Sequence, residues 1–303
     1  MVFWRTIPGV LVAVALFCAA AVAAGVGTQV YRVTHPPRQS DGPPTLASVV
    51  VPVEEVRFQS SDGVSIDGWL LRGTPGRPYI VLCHALGRSK ASVLDLAVKL
   101  HKDGFNLLVF DFRGHGSSGG RASSLGVSEK RDIIGAVDFL VSLDEVGADR
   151  VGVYGVGMGA HAAVLAAVDR PAIKVLVLDG LYPDPGFPLM RGVYGEWSFG
   201  AEHLGFAPRA AFAVLSLSKV DDQRAAEQLP RLLGRDVLLV APERDSTLAR
   251  EMERMYLTIP EQRESDGNLV VLPSTRVEEL YGEELVIYGE RVAEFFRDRL
   301  PGA

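Results

Sequence analysis

The sequence predicts an α/β fold: a mostly parallel sheet with helices on both faces, preceded by one N-terminal apolar helix. Three observations carry this. From residue 79 onward, short continuous apolar runs alternate with stretches of helical period. Two segments of alternating apolar and polar residues come before them, and residues 6–31 contain no charged side chain. Runs that are apolar throughout belong to parallel strands buried between helix layers, whereas strict alternation marks a strand with one wetted face.

Taken in order, residues 1–31 form the apolar segment. About 20 of them as helix, at roughly 1.5 Å per residue, suffice to cross a bilayer. The alternative is a cleaved signal and a secreted body, because Ala21, Val22 and Ala23 make a small-residue cleavage site. The apolar run exceeds a usual signal core, which favours a single-pass anchor. Arg5 on one flank and Arg32 and Arg38 on the other nearly cancel, leaving the side of the membrane open. Residues 32–52, with His35-Pro36-Pro37 and Gly42-Pro43-Pro44, read as an extended linker.

The body spans 53–303. Val53–Gln59 and Val64–Arg72 predict a hairpin around Ser61-Asp62-Gly63. Buried strands are expected at Tyr79–Cys83, Asn106–Asp111, Arg150–Tyr154, Lys174–Asp179, Asp236–Ala241 and Asn268–Leu272. Helices are expected at Ala91–Lys102, Ser128–Leu143, Met158–Val168 and Val286–Arg299. The stretch from about 181 to 233 is too long for a plain crossover and reads as a small cap.

At 303 residues the chain can bury a substantial core. A net charge of −6 without basic clusters gives no reason to expect nucleic acid. Two cysteines, Cys18 and Cys83, fall in separate modules and exclude a disulfide framework.

Three loops at the carboxyl ends of strands carry the chemistry: Cys83-His84-Ala85-Leu86-Gly87; Asp111-Phe112-Arg113-Gly114-His115-Gly116-Ser117-Ser118; and the turn Gly155-Val156-Gly157-Met158-Gly159. With Asp67-Gly68-Trp69 upstream and Glu129 and Asp132 downstream, the chain resembles the alpha/beta-hydrolase superfamily over roughly residues 53–300. Among its branches the chain is most similar to the membrane-anchored serine hydrolases with a short cap. The resemblance implies an acyl hydrolase whose nucleophilic serine sits at the apex of the third loop. Gly157 occupies that apex, and glycine has no nucleophile. Backbone N–H groups of Met158 and of Ala85 or Leu86 take the oxyanion-hole positions, and His84, Arg113 and His115 take positions that brace the site. No cofactor or metal is implied.

The triad order of this fold is nucleophile, acid, histidine. Asp245, after the apolar run Val237–Ala241, fills the acid position, with Glu243 as a second choice. All six histidines, His35, His84, His101, His115, His161 and His203, precede Asp245. Arg276 stands where the resemblance places the base, and a guanidinium stays protonated and accepts no proton. Pairing of Arg276 with Asp245 across the former triad is expected.

These losses point to a non-catalytic, membrane-tethered hydrolase relative that binds a small acyl or anionic ligand or an unknown protein partner. Two alternatives stand beside that reading. One is an active esterase, lipase or amidase with an unconventional nucleophile. The other is nucleotide binding at the Gly155–Ala160 turn, which fits G-x-G-x-x-A and has Asp179 at the end of the next strand.

Overall fold

The computed structural model describes residues 3–39, 51–143, 150–194, 206–216, 223–243, 245–259, 269–272 and 282–302, with Gly147, Val277 and Leu280. Among the described residues, eight strands form one sheet in the order β1-β2-β4-β3-β5-β6-β7-β8. They are β1 (Glu54–Gln59), β2 (Ser65–Leu71), β3 (Tyr79–Cys83), β4 (Asn106–Phe110), β5 (Val151–Val156), β6 (Val175–Asp179), β7 (Asp236–Pro242) and β8 (Leu269–Leu272). β2 pairs antiparallel with both β1 and β4, and every other neighbouring pair is parallel. This is the mostly parallel sheet that the continuous apolar runs predict. β3, β4, β5 and β6 are buried at every residue.

The helices are α1 (Phe3–Thr34), α2 (Leu94–Lys102), α3 (Lys130–Val141), α4 (Met158–Asp169), α5 (Gly186–Tyr194), α6 (Phe206–Ser216), α7 (Ala225–Gln228), α8 (Ser246–Tyr256) and α9 (Gly282–Arg299). Alternate strand residues divide the core between two helix layers. Ile80, Leu82, Leu107, Val109, Tyr154, Val177 and Val240 pack with Leu96 and Leu100 of α2 and with Val292 and Phe296 of α9. The opposite face carries α3 and α4, which pack on each other and on the sheet.

Several boundaries differ from the expected ones for local reasons. The helix expected from Ala91 begins as a 3-10 turn, Lys90–Val93, and becomes α-helical at Leu94. The final helix starts at Gly282, four residues before Val286, with Glu283 and Glu284 in its first turn complementing the helix dipole. α8 is an addition: Asp245 caps it, its carboxylate accepting the Leu248 N–H at 3.0 Å.

The chain divides into two compact units. One holds α1, α5 and α6; the other holds the sheet and the remaining helices from His35 onward. The segment read as a cap is thus split, since α7 belongs to the sheet unit and packs on α4. The apolar helix also runs three residues past the anchor boundary, to Thr34. The linker is not extended and free at its start. Arg38 donates to the carbonyls of Gly116 (3.4 Å), Ser118 (2.7 Å) and Gly120, pinning residues 35–39 onto the loop after β4. A guanidinium with a fork of donors suits a turn whose carbonyls point one way.

Phe296 is fully buried between Phe105, Phe295 and the β5 backbone at Gly152. Phe296→Ala should lower the unfolding free energy by about 3–5 kcal/mol, read as a reduced urea midpoint of the full-length chain.

Candidate functional site

The turn between β5 and α4 is built by backbone packing. A Cβ on Gly155 would collide with the α4 backbone at Gly159, and one on Gly159 would collide with the carbonyl of Cys83 on β3. These two glycines let strand and helix touch. Gly157 between them has a different reason. Its backbone lies at φ 52°, ψ −104°, a region that costs other residues roughly 1–3 kcal/mol. A Cβ there meets nothing nearer than the Ala85 Cβ, at 3.8 Å. The backbone therefore makes a sharp strand-to-helix turn at positive φ, with open room where a side chain would project. Its N–H bonds the Asp179 carbonyl at 2.8 Å and its carbonyl accepts the His161 N–H at 3.0 Å, so the turn is fixed on both sides. Met158 opens α4, where the first N–H groups have no partner within the helix and the dipole is positive. Ala85 faces the same space, so the structure brings the elbow and the loop after β3 together.

Two buried charge clusters hold the neighbouring loops. The Asp111 carboxylate accepts the Lys90 N–H at 2.8 Å, the Lys90 ammonium at 2.6 Å and the Ser117 N–H at 3.0 Å. Lys90 also pairs with Asp67 at 2.9 Å and lies over the Trp69 ring at 4.7 Å. Burial opposes its charge, but Asp111 and Asp67 outweigh burial and raise its pKa. A Cβ on Gly116 would overlap the Asp111 carboxylate, which explains the glycine at that point of the motif. Ser118 is buried; its hydroxyl donates to the Asp111 carbonyl at 2.5 Å and accepts the Asp67 N–H at 2.9 Å.

The second cluster centres on Arg113. Its guanidinium bonds Asp132 at 2.7–3.2 Å and Asp62 at 2.6 and 2.9 Å, and Asp132 also takes the Arg113 N–H at 2.9 Å. The guanidinium hydrogen bond keeps the Asp62 carboxyl well below the usual range. Glu129, fully buried, gathers the Ser124 and Gly126 N–H groups and the Ser123 and Ser124 hydroxyls at 2.6–2.9 Å. That anchors a loop in which Leu125 is held at φ 58°.

The histidines near the site are hydrogen-bonding struts. His84 Nε2 accepts the Phe112 N–H at 3.0 Å, leaving Nδ1 to donate to the Ala85 carbonyl at 2.7 Å. His115 Nε2 accepts the Gly87 N–H at 3.1 Å, and Nδ1 donates to the Arg113 carbonyl at 3.0 Å. Each ring spends its lone pair on a backbone amide. Burial, then the neighbouring His115, pushes the pKa of His84 down to about 3, and burial lowers that of His115. His161 stacks on Tyr182 at 4.8 Å, its Nε2 lies 2.9 Å from the Gln223 carbonyl, and burial lowers its pKa to about 4. Burial likewise raises the Cys83 thiol well above its ordinary value and keeps it protonated.

Asp245 sits at the carboxyl side of β7 as the cap of α8. Arg276, its expected partner, lies outside the described residues. Asp179, the acid that nucleotide binding needs, is fully buried and accepts the Tyr288 hydroxyl at 2.6 Å; Tyr288 in turn contacts the Tyr154 hydroxyl at 2.6 Å. Sequence reasoning missed the Lys90 bridge and the Arg38 clamp. Neither has a local signal, because each joins segments far apart in the chain. Among the described residues, no group of three or more His, Cys, Asp and Glu could hold a metal.

Two outcomes follow. Alanine at Gly157 should cost only the backbone strain, about 1–3 kcal/mol, whereas alanine at Gly155 or Gly159 should cost more because backbone atoms must separate. Thermal melts of the three variants test that ranking. The second concerns acid. His84, His115 and His161 have folded pKa values below the unfolded value of about 6.5, so the unfolded chain binds more protons beneath it. Stability should hold above about pH 6.5 and fall as pH drops from there towards 4. His84→Gln, which keeps an acceptor for Phe112 N–H, should remove up to about 1.4 kcal/mol per pH unit from that slope in urea titrations.

Comparison with known proteins agrees with this geometry. Residues 80–293 match the model of the alpha/beta hydrolase family. An uncharacterized protein of Mycobacterium tuberculosis is 32% identical over 176 residues, covering 57% of this chain and 60% of that one. Thiohydrolase aneE of Aspergillus aculeatus is 29% identical over 126 residues, 41% of this chain and 40% of its own. The chain thus spans 60% or less of the length of these curated relatives. Among solved structures, esterase PF2001 of Pyrococcus furiosus superposes with a TM-score of 0.65 at 22% identity, over 89% of this chain and 99% of the esterase. With an eight-stranded sheet of this order, a strand–turn–helix elbow at Gly157 and a family match across most of the body, the chain belongs to the alpha/beta hydrolase family.

Proposed function

We propose that this protein is a membrane-tethered member of the family that binds a ligand or partner and does not carry out Ser-His-Asp catalysis. The observation that carries the reading is the elbow itself: the strained turn is kept, and the residue at its apex is glycine. The histidines support it. His84 and His115 give their acceptor nitrogens to backbone amides, and the sequence after Asp245 contains none. A base is therefore missing as well as a nucleophile. What the turn offers is open space beside the start of α4 and the Ala85 side chain, which suits the carboxylate or carbonyl oxygen of an acyl ligand. A thiohydrolase relative and an esterase of like fold are in keeping with that ligand class. The tether is α1, whose segment Val10–Thr34 has a mean hydropathy of 2.5.

Retained elbow geometry favours one second reading, an active hydrolase using water or another nucleophile at the same site. Nucleotide binding is disfavoured because Asp179 is buried and engaged by Tyr288.

A fluorophosphonate probe and p-nitrophenyl esters separate the two. The native chain should show neither stoichiometric labelling nor turnover above heat-denatured protein; robust turnover would establish the hydrolase. Gly157→Ser alone should stay near background, because no base takes the proton. Gly157→Ser with Arg276→His should exceed the single variant by about 10²–10⁴-fold, the usual contribution of a positioned general base.

A further inference from the structure

The unit formed by α1, α5 and α6 differs from the rest of the chain in charge and polarity. The chain as a whole carries a net −6, yet these three helices hold Arg5, Arg32, Arg191 and Arg209 and no acidic residue. α5 and α6 pack against α1. At the α1–α5 contact, a Cβ on Gly192 would overlap the Val33 side chain, so that approach is close.

Between α1 and α6 runs an open groove lined by Ala24, Gly27, Thr28, Tyr31, Ala211 and Val214, with Ala210 beside it. Its lining is almost wholly apolar. Of its two hydroxyl-bearing residues, Thr28 and Tyr31, Thr28 donates to the Ala24 carbonyl at 2.8 Å. Val214 is 74% exposed, a poor state in water for a branched apolar side chain on a face that also presents Ala210.

The position of the groove along α1 indicates what covers it. The 25 residues from Val10 to Thr34 extend about 37 Å as helix, a little more than a hydrocarbon core of about 30 Å. Ala24 to Tyr31 occupy the last part of that span, so α6 meets α1 at the depth of the leaflet nearest residue 35. Arg32, Arg191 and Arg209 are exposed, and exposed cations beside a membrane span suit the level of the lipid phosphates.

Resting on the reading of α1 as an anchor, we infer that α6 is itself an interfacial membrane segment. Acyl chains of the nearer leaflet fill the groove between α1 and α6, and Arg32, Arg191 and Arg209 lie at the phosphate level.

The full-length chain in phosphatidylcholine–phosphatidylglycerol vesicles tests this. Cys18 is exposed on α1 and Cys83 is buried, so an environment-sensitive fluorophore can be placed on Cys18 alone. In a Cys18→Ala background the same label goes on Val214→Cys or, as a second site on that face, Ala210→Cys. The expected result is quenching of the Cys18 label by nitroxide at the chain end of the lipid. Both α6 labels should be quenched several-fold more by headgroup-proximal nitroxide lipid than by aqueous iodide. If Cys18 is lipid-quenched while the α6 labels respond to iodide, the anchor stands and the α6 inference fails. If the α6 labels resist both quenchers, a protein covers that face and the inference also fails. If no label responds to lipid, the anchor reading falls and takes this inference with it.

Discussion

The contact on which the site rests is backbone against backbone where β5 turns into α4. Gly155 lies on Gly159, and Gly159 lies on the Cys83 carbonyl at the end of β3, with no space for a methyl group in either place. Three segments are thereby locked at one point, and the loops after β3 and β4 take their positions from it. Such a constraint is indifferent to chemistry. It dictates that α4 starts where it does and that the residue between the two glycines adopts positive φ, whether or not that residue bears a hydroxyl. Close backbone packing holds this turn.

The loops around this point have no regular secondary structure, so their backbone groups need other partners. Buried side chains supply them. Asp111, Glu129 and Asp132 accept from backbone N–H groups, as do His84 and His115. The cations Lys90 and Arg113 then balance two carboxylates each. Replacing such a network with apolar side chains can be neutral in stability, whereas deleting one member strands its partners. Its contribution here is geometric. Apolar packing would not tell Asp67, Asp111 and the Gly87 amide where to stand relative to one another.

Much of this was legible in the sequence, and the reason differs by element. The central strands announce themselves because burial on both faces demands uninterrupted apolar residues, as in Tyr79–Cys83 and Val175–Asp179. The elbow is legible because its glycines have steric causes only a few residues apart. Asp179 was legible as an acid at a strand end but not as a core group, since its partner Tyr288 lies on the last helix. Lys90 gives no local sign of its role, because only the fold delivers Asp67 and Asp111 to it. Arg38 reads as part of a linker until the loop after β4 presents three carbonyls. Residues whose roles depend on distant segments leave no periodic trace.

Glycine at the apex also sets what the turn costs. A nucleophile at φ 52° stores strain that catalysis alone justifies, while glycine adopts that conformation without penalty. With glycine at the apex, the strain that opposes folding at this turn is relieved, yet the amides at the start of α4 keep their aim. The surrounding histidines were never free to serve as bases, because their lone pairs hold the loops. The glycine packing at the turn and the histidine hydrogen bonds in the loops beside it thus require no side chain at position 157.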